Sequence, residues 1–237
     1  MNTLRASKGF SLIELMIAMV AGLIVLGAVV LFTISTAQSS STNVRSIRLM
    51  QELRNSLNLI EREIRRSGFD QTAINYVGAC VDPATNCPLT NFAQVVVVTS
   101  SCLVVSYDNV ANATPGTLGA GEYHGFRLQQ NSSGVGVIQA SLGSAAAPDC
   151  TATDNSWQDV TDSGIVNITN LNFTRSAANG GCVKSAIGIW VVVQDILVQM
   201  TGQSAGRGAD LATTRTIEQS VRVRNDLVST TKPAVCP

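Results

Sequence analysis

The feature that most constrains this chain is an apolar stretch close to its first residue. Residues 10–32 are all apolar or small, apart from one serine and a single carboxylate, Glu14. As a helix, residues 10–35 would be about 39 Å long at ~1.5 Å per residue, which exceeds the ~30 Å hydrocarbon core of a bilayer. Arg5 and Lys8 precede the stretch without any acid, so the basic flank is expected to stay in the cytoplasm and the remainder to be exported. We therefore predict one transmembrane helix over residues 10–35.

An ordinary secretory signal peptide is the simplest alternative for this stretch. The apolar run of a signal peptide usually has ~7–15 residues and ends at a small-residue cleavage site. Here the run is longer, and a polar helix follows it without such a site. A plain signal anchor fits better but leaves Glu14 unexplained, because a carboxylate in a membrane helix costs about 2.5–3.5 kcal/mol on insertion scales.

The same helix is predicted to continue as an amphipathic helix over residues 36–67. Apolar residues recur there at three- and four-residue steps and form one stripe, made of Val44, Ile47, Met50, Leu53, Leu57, Ile60 and Ile64. The other faces are predicted to carry the charged residues Arg45, Arg48, Glu52, Arg54, Glu61, Arg62, Glu63, Arg65 and Arg66. We interpret these charges as a solvated face with pairs such as Glu61–Arg65, rather than as a patch that binds DNA or lipid. Gly68 stands where a helix C-cap is expected.

Residues 68–237 are predicted to form an exported domain with an antiparallel β-sheet. Strands are expected at 94–99, 102–107, 122–129, 134–140, 165–174, 187–200 and 214–224, with turn-rich segments at 108–121, 141–164 and 202–212. In the last strand, Ile217, Val221 and Val223 should face the core, while Glu218, Arg222 and Arg224 face outward. The expected fold class is α+β, in which the sheet packs on the apolar stripe of the helix.

All six cysteines lie beyond the transmembrane helix. They are Cys80, Cys87, Cys102, Cys150, Cys182 and Cys236. An even number on one side of a membrane segment indicates disulfides formed in an oxidising compartment. The close spacing of Cys80 and Cys87 favours a local bridge, whereas the other four cysteines allow three pairings that stay open. A metal site is not predicted, because the single histidine, His124, has no neighbouring ligand at zinc spacing.

The segment KGFSLIEL at residues 8–15 resembles the class III leader of type IV prepilins. The resemblance rests on a short basic leader, Gly9, the aromatic Phe10, a glutamate at the fifth position after the glycine, and the apolar run that follows. It implies that residues 1–9 are a leader, that a prepilin peptidase cuts after Gly9, and that the same enzyme N-methylates Phe10. It further implies a type IV pilin-like fold.

The leader resemblance also implies a role for Glu14 in assembly. Cleavage would create an ammonium group at Phe10, four residues before the carboxylate. In a stack of such helices, the ammonium of one subunit can pair with Glu14 of a neighbour, and an apolar surrounding strengthens that attraction. We therefore interpret Glu14 as the residue that sets the register of subunits.

Three looser fragments resemble the PilW-like group of minor pilins: IEREIRRSGF, SCLVVSYDN and VRVRND. This resemblance implies a minor pilin that primes or caps a type IV pilus and so supports motility, adhesion or DNA uptake. Its implied partners are the prepilin peptidase, the major pilin, other minor pilins and the assembly platform of the inner membrane. The chain would lie in the inner membrane, with its domain in the periplasm, before it enters an extracellular pilus. The alternatives are a minor pseudopilin of type II secretion and a tip adhesin or DNA-capture pilin.

Enzymatic chemistry is not predicted, and neither is a cofactor. The sequence has no phosphate-binding loop, no nucleophile elbow and no zinc-protease motif. Its formal net charge of zero argues against a nucleic-acid binder driven by bulk charge. Four aspartates at 149, 154, 159 and 162 depart from the spacing of a calcium loop and are interpreted as solvated. A binding module would need an exposed aromatic or basic patch, and the exported domain has only Trp157 and Trp190, the second in a predicted core strand. This favours a structural role, and contact with a sugar or DNA through Trp157 stays open.

Overall fold

The computed structural model contains one long helix and, among the residues that it describes, eleven strands. The described residues are 9, 11–72, 92, 96–109, 118–153, 156–176, 181–185, 188, 190–204, 213–229 and 232. Helix α1 comprises Leu12–Arg66. The chain divides into two compact units, residues 1–45 and residues 46–237, and the boundary falls within α1.

The first unit contains the apolar part of α1. Its large apolar side chains are exposed, with Leu12 at 79 % and Phe32 at 74 %. Exposure of such a large apolar surface to water is unfavourable, whereas lipid or neighbouring helices would cover it. By length and composition, α1 is able to cross a membrane, as the apolar stretch predicts.

The second unit combines the rest of α1 with three antiparallel sheets. The strands are β1 Val96–Thr99, β2 Cys102–Ser106, β3 Tyr123–Gln130, β4 Gly136–Ser144, β5 Gln158–Asp159, β6 Val166–Ser176, β7 Cys182–Lys184, β8 Trp190–Val192, β9 Asp195–Ser204, β10 Thr214–Arg222 and β11 Leu227–Ser229. Their orders are β1-β2-β3-β4-β5 in the five-stranded sheet, β10-β9-β6 in the second sheet and β11-β8-β7 in the third. The α+β fold with a helix packed on antiparallel sheets is thus confirmed.

One hydrophobic core joins α1 to the first two sheets. From the helix it contains Leu49, Leu53, Leu57, Ile60 and Ile64, and from the sheets it contains residues such as Leu103, Phe126, Ile138, Ile168, Phe173, Ile196, Met200 and Val221. Strand β9 contributes to the core through the alternation of its side chains, because every second residue from Ile196 to Ser204 is buried. In and after β10, Val221 and Val223 are buried while Glu218 is exposed, as the alternation predicts.

The predicted stripe on α1 is wrong at its beginning. Val44 and Ile47 are 44 % and 57 % exposed, whereas Leu49, which the stripe omits, is fully buried. The sequence places Glu63 on the solvated face, and this prediction is wrong as well, because the exposure of Glu63 is only 2 %. Leu49, Ser56 and Glu63 are each seven residues apart, so they lie on one side of the helix and widen its buried face.

The predicted strand 187–200 is also wrong, because it is two strands in different sheets. β8 ends at Val192 and β9 begins at Asp195. The two residues between them bond elsewhere: the Val193 amide donates to Gly181, and the Gln194 carbonyl accepts from Val223. The short strands β5, β7 and β11 were not predicted, and β4 extends to Ser144 rather than residue 140.

Candidate functional site

The N-terminal end of α1 carries the residues of the leader resemblance. α1 begins at Leu12, and the carbonyl of Ser11 accepts hydrogen bonds from the amides of Glu14 and Leu15, each at 3.1 Å. Ser11 is thus the residue before the helix, and Glu14 lies in the first turn, where a carboxylate interacts favourably with the helix dipole. Phe10 lies outside the described residues, and Gly9 is exposed.

This arrangement supplies a second reason for a glutamate at residue 14. A serine followed three residues later by a glutamate is the signature of a helix N-terminus, a signal that the sequence analysis missed. The carboxylate itself is exposed, so it is accessible to a group on another chain. The structure therefore brings Ser11 and Glu14 together and does not test the pairing of Glu14 with Phe10.

The three fragments of the wider resemblance meet at the C-terminal end of α1, a region termed here the helix-end junction. The Gly68 amide donates to the Ser106 carbonyl at 2.9 Å. The Asn225 side-chain amide donates to the Ser67 carbonyl at 2.9 Å. Gly68 has a φ of +76°, which is the left-handed conformation of a helix C-cap and confirms its predicted place. Residues that are distant in sequence thus provide hydrogen-bond partners for the backbone groups at the end of the helix.

A buried charged cluster lies at this junction. The Tyr107 hydroxyl donates to Glu63 Oε2 at 2.6 Å, and Arg62 Nε donates to Glu63 Oε1 at 2.9 Å. The imidazole of His124 stacks on the Tyr107 ring, with centroids 4.4 Å apart and an angle of 8° between the planes. Nδ1 of His124 is 3.9 Å from Glu63 Oε2. The cluster therefore joins α1 to both β2 and β3, because Tyr107 follows β2 and His124 belongs to β3.

The cluster perturbs the titration of two of its members. Burial is the main cause that lowers the pKa of His124; Arg66 adds to this effect, and the Glu63 carboxylate opposes it. Burial is likewise the main cause that raises the pKa of Tyr107, and the hydrogen bond to Glu63 raises it further. His124 is thus neutral and Tyr107 is protonated at neutral pH. Since Glu63, Tyr107 and His124 are all buried, the cluster fastens the fold rather than meeting a substrate.

Two more buried carboxylates hold the loops beside the junction. Asp108 accepts from the Gln71 amide and side chain, both at 3.1 Å. Glu122 accepts from the Asn109 amide at 3.2 Å and the Gly119 amide at 2.6 Å. These amide donors replace the hydrogen bonds that the two carboxylates would make with water. The hydrogen bonds therefore compensate the burial of the carboxylates and hold the loops in place.

A disulfide fixes the loop between β4 and β5. Cys102 at the start of β2 is bonded to Cys150, which resolves one of the pairings left open. Arg127 of β3 reinforces the loop by donating to the carbonyls of Cys150 at 2.9 Å and Ala152 at 2.6 Å. Cys182 is disulfide-bonded as well. The predicted Cys80–Cys87 bridge and Cys236 lie outside the part of the chain that the structure describes.

Trp157 is part of the same loop and is not a free binding residue. Only 6 % of its surface is exposed, and its indole N–H donates to the Asp149 carbonyl at 3.0 Å. The Arg127 guanidinium lies 4.3 Å from the centre of its ring. The contact with a sugar or DNA that the sequence leaves open at Trp157 is therefore not supported, because the buried indole holds the loop in place.

The aspartates of this region build turns. Asp149 accepts from both the amide and the hydroxyl of Thr151 at 2.8 Å, and these bonds lower its pKa. Asp162 accepts from the Gly164 amide at 2.7 Å. Asp154 lies outside the described residues, and the described ones contain no group of three or more ligands able to hold a metal ion.

Comparison with known proteins agrees with the leader and with the domain. Over residues 42–223 the chain matches the family described as Prepilin peptidase-dependent protein B. Over residues 4–30 it matches the Prokaryotic N-terminal methylation motif, which includes Gly9, Phe10 and Glu14. Comparison with curated proteins and with solved structures gave no significant match. The family match spans well over half of the chain, so this is a pilin-type protein that belongs to the Prepilin peptidase-dependent protein B family.

Proposed function

We propose that this chain is a minor pilin, similar to the PilW-like group, that helps to prime or cap type IV pili. The observation that carries the proposal is the match to the methylation motif on residues 4–30, followed by a helix whose apolar side chains are exposed. A structural role in a filament explains both features, because a helix of this kind needs lipid or other helices around it. The proposal includes cleavage after Gly9 and N-methylation of Phe10 by a prepilin peptidase.

In this proposal Glu14 selects the position of each incoming subunit. After cleavage, the Phe10 ammonium and the Glu14 carboxylate are four residues apart in sequence. A charge that is buried without a partner costs roughly 3–5 kcal/mol, so a helix bundle favours the register that pairs the two charges. The helix dipole compensates the carboxylate only in part, with about 0.3–1 kcal/mol.

The partners of the chain follow from the same proposal. Before assembly, the helix lies in the inner membrane with the leader in the cytoplasm and the domain in the periplasm. There it meets the peptidase and the assembly platform, and in the filament it meets the major pilin and other minor pilins. The disulfides agree with export to an oxidising compartment.

A set of three variants tests the role of Glu14. Glu14→Ala should be cleaved and inserted normally but should be missing from sheared surface filaments, because the neighbouring ammonium loses its partner. Glu14→Asp should recover little, since its shorter side chain holds the carboxylate farther from the ammonium. Glu218→Ala is the matched control, because it removes an exposed glutamate from β10 and should enter filaments at the wild-type level. Wild-type amounts of Glu14→Ala in sheared pili would contradict the assembly role.

A deletion distinguishes the proposed pilin from a pseudopilin. Removing the gene should reduce surface piliation and leave type II secretion unchanged. Lost secretion with normal piliation would assign the chain to the secretion system instead. Quantitative immunoblots of sheared filaments, together with an assay of a secreted enzyme, separate the two outcomes.

A further inference from the structure

We propose that Glu63, Tyr107 and His124 form an acid-sensitive latch that holds the C-terminal end of α1 against the five-stranded sheet and loosens when His124 takes up a proton. The three side chains come from α1, from the segment after β2 and from β3. Their exposures are 2 %, 3 % and 7 %. Water therefore screens them poorly, and a new charge among them has a large effect on the helix-end junction.

The contacts of the latch require a neutral imidazole. The Tyr107 hydroxyl donates a hydrogen bond to Glu63 Oε2 at 2.6 Å, and the Tyr107 ring stacks on His124. Among the described residues, neither ring nitrogen of His124 makes a hydrogen bond of good geometry. A protonated imidazole would therefore carry two buried N–H donors, and Glu63 Oε2, which lies 3.9 Å from Nδ1, already accepts the hydrogen bond of Tyr107.

The charges that face His124 act in opposite directions. Glu63 on α1 favours the protonated ring, and the backbone of Gly121 does so more weakly. Arg66 and Arg62, also on α1, oppose protonation, and burial opposes it most strongly. Arg66 lies over the Tyr107 ring, with its guanidinium carbon 4.2 Å from the centroid, so its charge is held beside the stacked pair. The balance favours the neutral histidine.

The sign of the pH effect follows from this balance. The pKa of His124 is lowered in the fold because burial and Arg66 outweigh Glu63. The unfolded chain takes up the proton first, near pH 6.5, so the stabilising contribution is present above that pH. It is lost as the pH falls from about 6.5 through the lowered pKa of the folded state. Over this range the folding equilibrium constant decreases by up to about tenfold per pH unit.

The wild-type chain allows a direct test, because His124 is its one histidine. We would label the histidine ring of the processed chain in detergent micelles, without a histidine tag, and follow its NMR signals from about pH 8 to about pH 4.5. The midpoint should lie below 6.5. Hydrogen exchange of the amides of residues 64–69, corrected for the intrinsic effect of pH, should accelerate through the same midpoint. A titration midpoint at or above pH 6.5 would overturn the proposal. So would an exchange rate of these amides that does not change as the pH passes through the midpoint.

Two variants should move the midpoint in opposite directions. Glu63→Gln removes the charge that favours protonation and should lower the midpoint, whereas Arg66→Gln should raise it. Arg66 is exposed, so that variant should fold even where Glu63→Gln does not. Asp149→Asn is the control, because it removes an exposed carboxylate that lies in a separate turn, and it should leave the midpoint unchanged. An unchanged midpoint in Arg66→Gln would show that the charges of α1 do not control the latch.

His124→Phe then tests whether the histidine carries the acid response. Phenylalanine keeps an aromatic ring for stacking on Tyr107 and cannot take up a proton. Between pH 7.5 and pH 5, exchange at residues 64–69 should change less in this variant than in the wild type. An equal acid response in both chains would assign the effect to other groups, and His124→Gln provides the same comparison if the larger ring disturbs packing.

Discussion

Shortening Leu53 to alanine should remove a large part of the stability of the second unit. Leu53 is fully buried, and a Cβ built on Gly202 of β9 would lie 3.1 Å from Leu53 Cδ2. The leucine thus fills the space that the glycine leaves open, and Gly202 has no side chain that could move into a cavity. Buried leucine-to-alanine changes cost about 2–5 kcal/mol, and the cost is highest where the surroundings cannot collapse. We therefore expect about 3–5 kcal/mol for Leu53→Ala.

The matched control is the same chemical change at an exposed leucine. Leu142 on β4 is 52 % exposed, so Leu142→Ala should cost less than about 1 kcal/mol. Urea unfolding of the processed chain in detergent, followed by tryptophan fluorescence, measures both values. Equal losses of unfolding free energy in the two variants would refute the packing of this part of α1 on β9.

Three further changes test other contacts of the second unit. A Cβ at Gly136 would lie 2.0 Å from the Ile168 carbonyl oxygen, so Gly136→Ala should cost at least about 3 kcal/mol in thermal unfolding, and a near-normal transition would contradict this close approach. The cysteines at 102 and 150 are 48 residues apart, so replacing both with alanine should cost about 4 kcal/mol in the chain-entropy model. Reductant should no longer change the stability that this loop contributes in the double variant. A double variant as stable as the oxidised wild type would refute the estimate. Burial and the bond to Glu63 raise the pKa of Tyr107, so its contribution is present below about pH 10 and is lost as the pH rises further. Tyr107→Phe should therefore lose less stability than the wild type between about pH 10 and pH 12, and an equal loss in both would contradict the raised pKa.

The sequence predicts those parts of the fold that depend on local patterns. The apolar run and the cap at Gly68 locate α1 to within two residues, because helix period and capping are properties of neighbouring residues. The division of strand 187–200 could not be predicted, since Val193 and Gln194 are ordinary strand residues and their hydrogen bonds go to residues far away in sequence. The helix-end junction could not be predicted for the same reason: Tyr107 is 44 residues from Glu63.

Glu14 and Glu63 show how one helix uses two acids for opposite purposes. Glu63 is buried and receives hydrogen bonds from Arg62 and Tyr107, so its charge is satisfied within one chain. Glu14 is exposed, and no ion pair to it is formed by the described residues. A charge that is already compensated contributes to folding, whereas one that gains its partner only in a neighbouring subunit contributes to association. Glu63→Gln should therefore lower the stability of the isolated chain and Glu14→Ala should not. If both variants unfolded like the wild type, the buried carboxylate would have no role in holding the end of α1.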